Sequence, residues 1–328
     1  MKTNIRRRQV LAGISLAPLA GLAPSVLFAQ DKWPSKPIKL LVGFPPGGGA
    51  DAMARLIGAK LADRLGQPVV VDNKTGATGT ICSEIVAKSP PDGYTLQLAH
   101  INSNAIGPLM VAKGKFHPVD DFTPIALLGI TPQVLAHHPK HKFGTVQGLI
   151  DYAKKNPGKL TFASSGVGSA QHIAGEDFKL RAGVDMLHVP FKGTGEALAA
   201  LLSGDVDMTF SSTGSAMPQV KGGKLVLLAV GSAKRIPDMP NIPAIAETVK
   251  GFEMATWYGL AGPKGLPQPI VDRLYKEVQI VLKLPEVTKR FDELDAMVSE
   301  GSPKQFGDFW RAEVARYQKL IIDAKITA

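Results

Sequence analysis

The chain contains 328 residues, of which 45% are hydrophobic, and this is enough apolar material for two domains. Its formal net charge is +10, but after a short N-terminal cluster the basic residues are spread along the sequence. This distribution argues against a nucleic-acid partner and leaves a mild preference for small anionic ligands. The single cysteine, Cys82, cannot form an internal disulfide, so the core must stabilise the fold unaided.

Residues 1–29 have the pattern of an export signal. A basic segment that includes residues 6–8 precedes an apolar run at 10–23, and the small residue Ala29 provides a cleavage point. The paired arginines resemble a twin-arginine signal, although an ordinary secretion pathway would accept the same segment. A membrane anchor is the alternative, but glycine and proline interrupt the short apolar run. We expect a soluble, periplasmic protein that begins at Gln30.

Strand and helix patterns alternate in the first part of the exported chain. The predicted elements are strands at 38–44, 68–72 and 94–99 and helices that start at Asp51 and at Thr80. Strands that alternate with helices at this spacing predict a parallel sheet with helices on both faces.

A second α/β series follows a long apolar segment at 122–137, which could cross from one domain to another. Its predicted elements are helices at 145–155, 170–181 and 195–202 and strands at 160–163, 186–191, 206–210 and 225–230. A return crossing at 254–260 leads to an amphipathic helix at 269–282 and a last helix from Ser302-Pro303. We expect one domain at 30–128 plus 255–328 and another at 129–254.

The turn Pro45-Pro46-Gly47-Gly48-Gly49 joins the first strand to the first helix. Glycines let a ligand approach the backbone, and the free N–H groups of a first helical turn attract anions. The turn lacks the spacing of a dinucleotide fingerprint and the Gly-Lys-Ser/Thr of a P-loop. It therefore predicts an anion site of another kind, with a glycine-rich turn that binds nothing as the alternative.

Further loops follow predicted strands, at the sheet edge where open α/β folds bind ligands. They lie at 76–79, 100–104, 164–172 and 211–213. The loop at 164–172 combines glycines and small hydroxyls at a second helix start. Two such helix starts from separate α/β units suggest a carboxylate held between the domains.

The sequence gives little support for an enzyme. The Gly-x-Ser-x-Gly elbow is absent, and His172 lies where histidines more often cap or pack than act as a base. His137, His138 and His141 lack the spacing of metal ligands. We therefore expect no catalysis, no metal and no cofactor.

Short motifs occur in a fixed order between residues 33 and 326. They are Trp33-Pro34-Ser35-Lys36-Pro37-Ile38, Phe44-Pro45-Pro46-Gly47-Gly48-Gly49-Ala50-Asp51, Gly66-Gln67-Pro68-Val69-Val70-Val71-Asp72-Asn73, Gly76-Ala77-Thr78-Gly79, Pro91-Asp92-Gly93-Tyr94-Thr95-Leu96, His188-Val189-Pro190-Phe191-Lys192-Gly193 and Pro237-Asp238-Met239-Pro240-Asn241-Ile242-Pro243. Together they resemble the extracytoplasmic solute receptors of tripartite tricarboxylate transporters, the Bug or TctC family.

This resemblance implies a two-domain periplasmic-binding-protein fold, type II-like and hinge-closing, with a central sheet flanked by helices in each domain. It implies a monomeric receptor that captures a small organic carboxylate between its domains and delivers it to the permease subunits of a tripartite transporter. The same module could instead act as a ligand sensor for a signalling partner, and this alternative stays open.

In relatives, the loops that match Pro45–Asp51 and Ser164–Ser169 hold the ligand carboxylate, and this guides the choice of site residues. The predicted ligand-binding residues are Phe44, Pro46, Gly47, Gly48, Gly49, Asp51, Thr78, His100, Asn102, Ser164, Ser165, Gly168, Ser169, His172, Lys192, Gly193, Ser212, Thr213 and Trp257. The chain departs from the common pattern at Phe191, where tyrosine is frequent, and at residues 99–102, where small residues are usual. These departures are candidate specificity positions.

Overall fold

The computed structural model describes residues 33–112, 114–237, 239–293 and 296–327. The predicted export signal at 1–29 lies outside the described residues. Within those ranges, no helix is long and apolar enough to cross a membrane.

The order of strands and helices follows the predicted alternation. The strands are β1 (Ile38–Val42), β2 (Val69–Asn73), β3 (Thr95–His100), β4 (Phe122–His137), β5 (Thr161–Ser164), β6 (Leu187–Pro190), β7 (Met208–Ser212), β8 (Val226–Val230), β9 (Ala255–Pro263) and β10 (Met297–Val298). The helices are α1 (Gly49–Leu65), α2 (Thr80–Ala87), α3 (Gly107–Met110), α4 (Val146–Lys155), α5 (Ala170–Ala182), α6 (Thr194–Ser203), α7 (Thr213–Lys221), α8 (Ile245–Thr248), α9 (Gln268–Val281), α10 (Pro285–Glu293) and α11 (Pro303–Asp323). A 3-10 turn (Ala77–Gly79) precedes α2, and a π-helical turn (Asn102–Ile106) precedes α3.

The sheet is mixed, with the strand order β2-β1-β3-β9-β4-β7-β5-β6 and with β8 and β10 also paired to β4. β1 is parallel to β2 and β3, and β5 is parallel to β6 and β7. β9 is antiparallel to both β3 and β4, and β4 is antiparallel to β7. The parallel pairing predicted for the first three strands is therefore confirmed, and the antiparallel pairs at the centre come from the two crossing strands β4 and β9. The two crossing strands run against their neighbours there, which produces the antiparallel pairing pattern.

The long strand β4 joins two parts of this sheet. Its residues 122–132 pair with β9, and its residues 133–137 pair with β7. We call β2, β1, β3, β9 and the first part of β4 the first half-sheet, and the last part of β4 with β7, β8, β5 and β6 the second half-sheet. The domain boundary expected between residues 128 and 129 falls inside β4, and the one expected after residue 254 falls directly before β9.

Helices cover both faces of the first half-sheet because each has one apolar side. On one face α1 packs with α9, where Ile57 and Leu274 are both fully buried. On the other face α11 brings Phe306 and Trp310 against Trp257 of β9. The predicted cap of α11 is confirmed by reciprocal hydrogen bonds, in which the Gln305 amide donates to the Ser302 hydroxyl and the Ser302 amide donates to the Gln305 side chain.

The packing of β9 against α11 leaves no space for a side chain at Gly259. A Cβ atom there would lie 2.2 Å from Cζ of Phe306, and that ring is held by a stacked Trp310 with 5.4 Å between the ring centroids. We therefore expect Gly259→Ala to lower the free energy of unfolding by about 1–3 kcal/mol, measured by urea denaturation. Gly195→Ala is the control, because a Cβ on Gly195 meets no atom within 4 Å. Equal unfolding midpoints for Gly259→Ala and the wild type would contradict this packing.

Candidate functional site

The turn between β1 and α1 leaves the start of α1 open. Pro46, Gly47 and Gly48 are exposed, and Gly47 has φ +85°, a backbone conformation that favours glycine. Gly48 caps the helix with its backbone only, and the first hydrogen bond into the helix runs from the Ala52 amide to the Gly48 carbonyl. Among the described residues, no group accepts a hydrogen bond from the amides of the first three residues of α1. These amides can therefore bind an anion.

Asp51 supports this turn from inside the protein. Its side chain is buried and accepts hydrogen bonds from the Gly47 amide (2.9 Å), from Arg55 (2.9 Å) and from Asn73 (3.0 Å). The hydrogen bond from Arg55 lowers the pKa of Asp51 to about 2, despite the opposing effect of burial. Asn73 also donates to the Phe44 carbonyl (2.9 Å). The structure thus places Asp51, which we predicted as a ligand contact, in bonds that shape the turn.

The rings of Phe44, His100 and Tyr258 form an aromatic wall beside the turn, at the end of β3. His100 lies between Phe44 and Tyr258, with ring centroids 4.7 Å and 5.1 Å away. Its Nδ1 accepts a hydrogen bond from the Asn102 amide (3.0 Å), so the neutral ring carries its proton on Nε2. Burial lowers the pKa of His100 to about 3, which keeps the ring neutral near pH 7.

Tyr258 is the residue at this wall that the sequence analysis missed. Successive residues of a strand point to opposite faces, so the neighbours Trp257 and Tyr258 cannot face the same side. Trp257, which we predicted as a ligand contact, is 1% exposed and packs on the rings of α11. Tyr258 takes the other face and reaches the start of α1, where a Cβ on Gly49 would lie 3.4 Å from its hydroxyl oxygen.

The loop between β5 and α5 differs from the expectation of a second open helix start. The Gly166 amide donates to the Ser164 hydroxyl (3.1 Å), and the Gly168 amide donates to Nδ1 of His172 (3.2 Å). The His172 amide donates to the Ser169 hydroxyl (3.2 Å), and the Ser165 amide donates to the side chain of Gln171. Most of the donors of this loop are therefore used within the loop itself.

Two stacked histidines, His172 and His188, pack against the same loop. The rings of His172 and His188 are 4.0 Å apart between centroids, and Nε2 of His188 lies 2.6 Å from the Ser164 hydroxyl. Burial lowers the pKa of His172 to about 3 and that of His188 to about 4. Both rings are thus neutral near pH 7, and His172 holds the loop rather than presenting a charge.

The β5–α5 loop rests on the first half-sheet through direct contacts. The Thr78 hydroxyl donates to the Val167 carbonyl (2.8 Å), and the Ala170 amide donates to the Asn102 side-chain oxygen (2.8 Å). A Cβ on Gly168 would lie 3.4 Å from Cβ of Met110, which shows how closely the loop approaches α3. Thr78 and Asn102 therefore join the two half-sheets.

The remaining predicted residues lie at the starts of α6 and α7. Lys192 is exposed, and a Cβ on Gly193 would meet no atom within 4 Å, so this helix start borders open space. The hydroxyl oxygen of Ser212 lies 2.9 Å from that of Ser215, and Thr213 is buried at the first position of α7. These residues belong to the second half-sheet, at the same edge as the β5–α5 loop.

Other features of the described residues offer less for a ligand. In the part of the chain that the structure describes, no three His, Cys, Asp or Glu side chains are grouped so that they could hold a metal ion. A surface pocket of about 610 Å³ is lined by Lys140, His141, Lys142, Phe143, Gly148 and Tyr152. It contains none of the predicted site residues. Because the α1 start combines free backbone donors with an aromatic wall, it is the better candidate for anion binding.

Comparison with known proteins gives consistent matches over the chain. A family described as "Tripartite tricarboxylate transporter family receptor" matches residues 53–326. A protein of Pseudomonas sp. (strain P51), described as "UPF0065 protein in tcbD-tcbE intergenic region", is 38% identical and is aligned over 99% of this chain and 96% of its own.

Solved structures of the same kind superpose closely. The R. palustris protein Rpa4515 with adipate has a TM-score of 0.85 at 35% identity, over 90% of this chain and 99% of its own. The periplasmic binding protein BugD has a TM-score of 0.83 at 34% identity, with the same coverage of 90% and 99%. Since the family match covers most of the chain, as the ordered motifs predicted, the chain belongs to the tripartite tricarboxylate transporter receptor family and has the two-domain α/β fold of the periplasmic binding proteins.

Proposed function

We propose that this chain captures a small organic carboxylate between its two half-sheets in the periplasm and delivers it, as a monomer, to the permease subunits of a tripartite transporter. The observation that carries this proposal is the open start of α1, whose first three amides have no partner among the described residues. The related R. palustris structure with adipate supports a carboxylate as the anion. The predicted domain boundaries and export signal are part of the same proposal.

The interactions available at α1 are strong enough for a useful affinity. The positive end of a helix dipole contributes about 0.3–2 kcal/mol toward an anion, and each hydrogen bond to a charged group contributes about 1.5–3 kcal/mol. Loss of translational and rotational freedom on association offsets part of this gain. We therefore expect a dissociation constant on the order of micromolar.

The proposed closure of the two half-sheets over the ligand is based on two hydrogen bonds between them. In these bonds Asn102 accepts from the Ala170 amide, and Thr78 donates to the Val167 carbonyl. We call the arrangement with both bonds formed the closed arrangement. A ligand shifts the population toward it only if the ligand gains contacts that the open arrangement lacks. The loops of the second half-sheet supply such contacts when they come over the α1 start. In this proposal Asn102 and Thr78 act on closure rather than on the ligand.

Replacement of Gly48 by leucine tests the α1 site. Gly48 has φ −81° and ψ 171°, which any residue can adopt, and a Cβ there would lie 3.7 Å from the Pro45 carbonyl oxygen. The variant should fold, but its side chain would cover the free amides and abolish binding in calorimetry. Gly301→Leu is the control, because Gly301 lies before α11 and a Cβ there would make only ordinary contacts of 3.6 Å. Wild-type affinity in Gly48→Leu would remove α1 from the site.

The ligand itself can be found by thermal-shift measurements with a panel of dicarboxylates, tricarboxylates, aromatic acids and acidic amino acids, including adipate and malate. A ligand that binds only the folded protein raises its melting temperature in proportion to the logarithm of its concentration over the dissociation constant. At least one acid should give a concentration-dependent rise in wild type and none in Gly48→Leu. If no acid of the panel stabilises the wild type, the proposed function is wrong.

Asn102→Ala tests closure separately. The variant loses one hydrogen bond of the closed arrangement, so the affinity for the panel acid should fall about two- to tenfold, and small-angle scattering should show a larger radius of gyration. Asn156→Ala is the matched control, because the Asn156 side chain bonds only within its own helix end, to the Tyr152 carbonyl (2.9 Å). Unchanged affinity and unchanged scattering in Asn102→Ala would contradict this account of closure.

A further inference from the structure

We propose that the Tyr258 hydroxyl donates a hydrogen bond to the ligand carboxylate at the start of α1, with His100 holding the tyrosine ring in place. This inference rests on the proposed function and names a ligand-binding residue that the sequence motifs do not include.

The pairing of the strands determines where Tyr258 lies. His100 ends β3 and pairs directly with Tyr258 of β9, so the two side chains stand side by side on one face of the sheet. Their ring centroids are 5.1 Å apart in an edge-to-face arrangement. On its other side His100 contacts Phe44, the last residue before the glycine-rich turn. The tyrosine ring therefore has a fixed support, and its hydroxyl points to Gly49.

The Tyr258 hydroxyl makes no hydrogen bond with the residues that the structure describes, and it is not one of the fully buried unpaired atoms, so it keeps some contact with solvent although Tyr258 as a whole is only 6% exposed. A ligand can therefore reach this oxygen, and tyrosine hydroxyls in largely buried residues normally have a hydrogen-bond partner. The unpaired Tyr258 hydroxyl beside the open start of α1 is therefore suited to donate a hydrogen bond to an acceptor atom of a ligand.

The donors at this position are arranged for an anion. The Tyr258 hydroxyl adjoins the first residue of α1, whose amide is one of three free donors. The nearby acidic group, Asp51, already accepts bonds from the Gly47 amide, Arg55 and Asn73. A carboxylate has about four acceptor positions on its two oxygens, so it can accept from the helix amides and from the hydroxyl together.

These donors are uncharged over the physiological pH range. Burial raises the pKa of Tyr258 to about 12, so the hydroxyl keeps its proton. Burial also lowers the pKa of His100, so the supporting ring adds no positive charge. The ligand carboxylate would therefore be held by neutral donors, and the hydrocarbon part of the ligand would pack on the rings of Phe44 and His100.

Tyr258→Phe removes the hydroxyl and keeps the ring. The dissociation constants for adipate and for the panel acid with the largest thermal shift should rise about tenfold or more, because a hydrogen bond to a charged group is lost. The melting temperature of the protein without acid should not fall, since the hydroxyl has no protein partner to lose. Tyr275→Phe is the matched control, because the exposed Tyr275 hydroxyl makes no more than a long hydrogen bond of 3.5 Å to the Glu300 carbonyl.

The outcomes separate this inference from the proposed function. If Tyr258→Phe binds as tightly as wild type while Gly48→Leu does not bind, the role of Tyr258 is wrong and the receptor function stands. A lower melting temperature of Tyr258→Phe with an unchanged dissociation constant would assign the hydroxyl a structural role and also overturn the inference. Tyr258→Leu provides a second variant without the donor, and wild-type affinity in this variant would contradict the proposal in the same way. If no panel acid binds the wild type, both proposals fail.

Discussion

The buried carboxylate of Asp51 is the interaction on which the candidate site depends. It accepts hydrogen bonds from the amide of the turn, from Arg55 one helical turn later and from Asn73 at the end of β2, so three separate segments are fixed by one side chain. An acidic residue in a first helical turn would normally offset the positive end of the helix dipole. Here its charge is paired with Arg55, and its oxygens are directed back to the turn. The amides at the start of α1 consequently stay available to an external anion.

The two half-sheets contribute differently to this site. The first provides an open helix start and an aromatic wall, whereas the β5–α5 loop of the second uses its own hydroxyls and histidines to satisfy its backbone donors. The two helix starts that we expected to act as equivalent donor clusters therefore differ, because in the described part of the chain most of the backbone donors are free only at the start of α1. The second half-sheet makes hydrogen bonds to the first through the Val167 carbonyl and the Ala170 amide, which favours a role in enclosing the ligand. The open helix start at Gly193 is the part of the second half-sheet that still resembles the expected donor cluster.

Local sequence signals predicted most of the elements because those elements depend on local physics. Helix α2 begins at Thr80, as predicted, and the cap of α11 is visible in the residue types alone. Helix α7 was missed because Pro218 lies inside it and interrupts the usual helical signal. At the site, the β1–α1 turn could be predicted from its glycines, but the bond between Asn102 and Ala170 joins residues 68 positions apart and leaves no trace in either segment. The choice between Trp257 and Tyr258 also requires the orientation of β9, since alternation shows only that the two face opposite sides.

Under the proposed function, the bonds between the half-sheets have a consequence for uptake. Both partners in each bond are protein atoms, so these bonds favour closure to the same extent with any cargo or with none. A membrane partner that recognised only the outline of the closed receptor would therefore also dock receptors that carry nothing, and each such encounter would be unproductive. Efficient uptake then requires the partner to sense a feature that changes with cargo, or to release unloaded receptors faster than loaded ones.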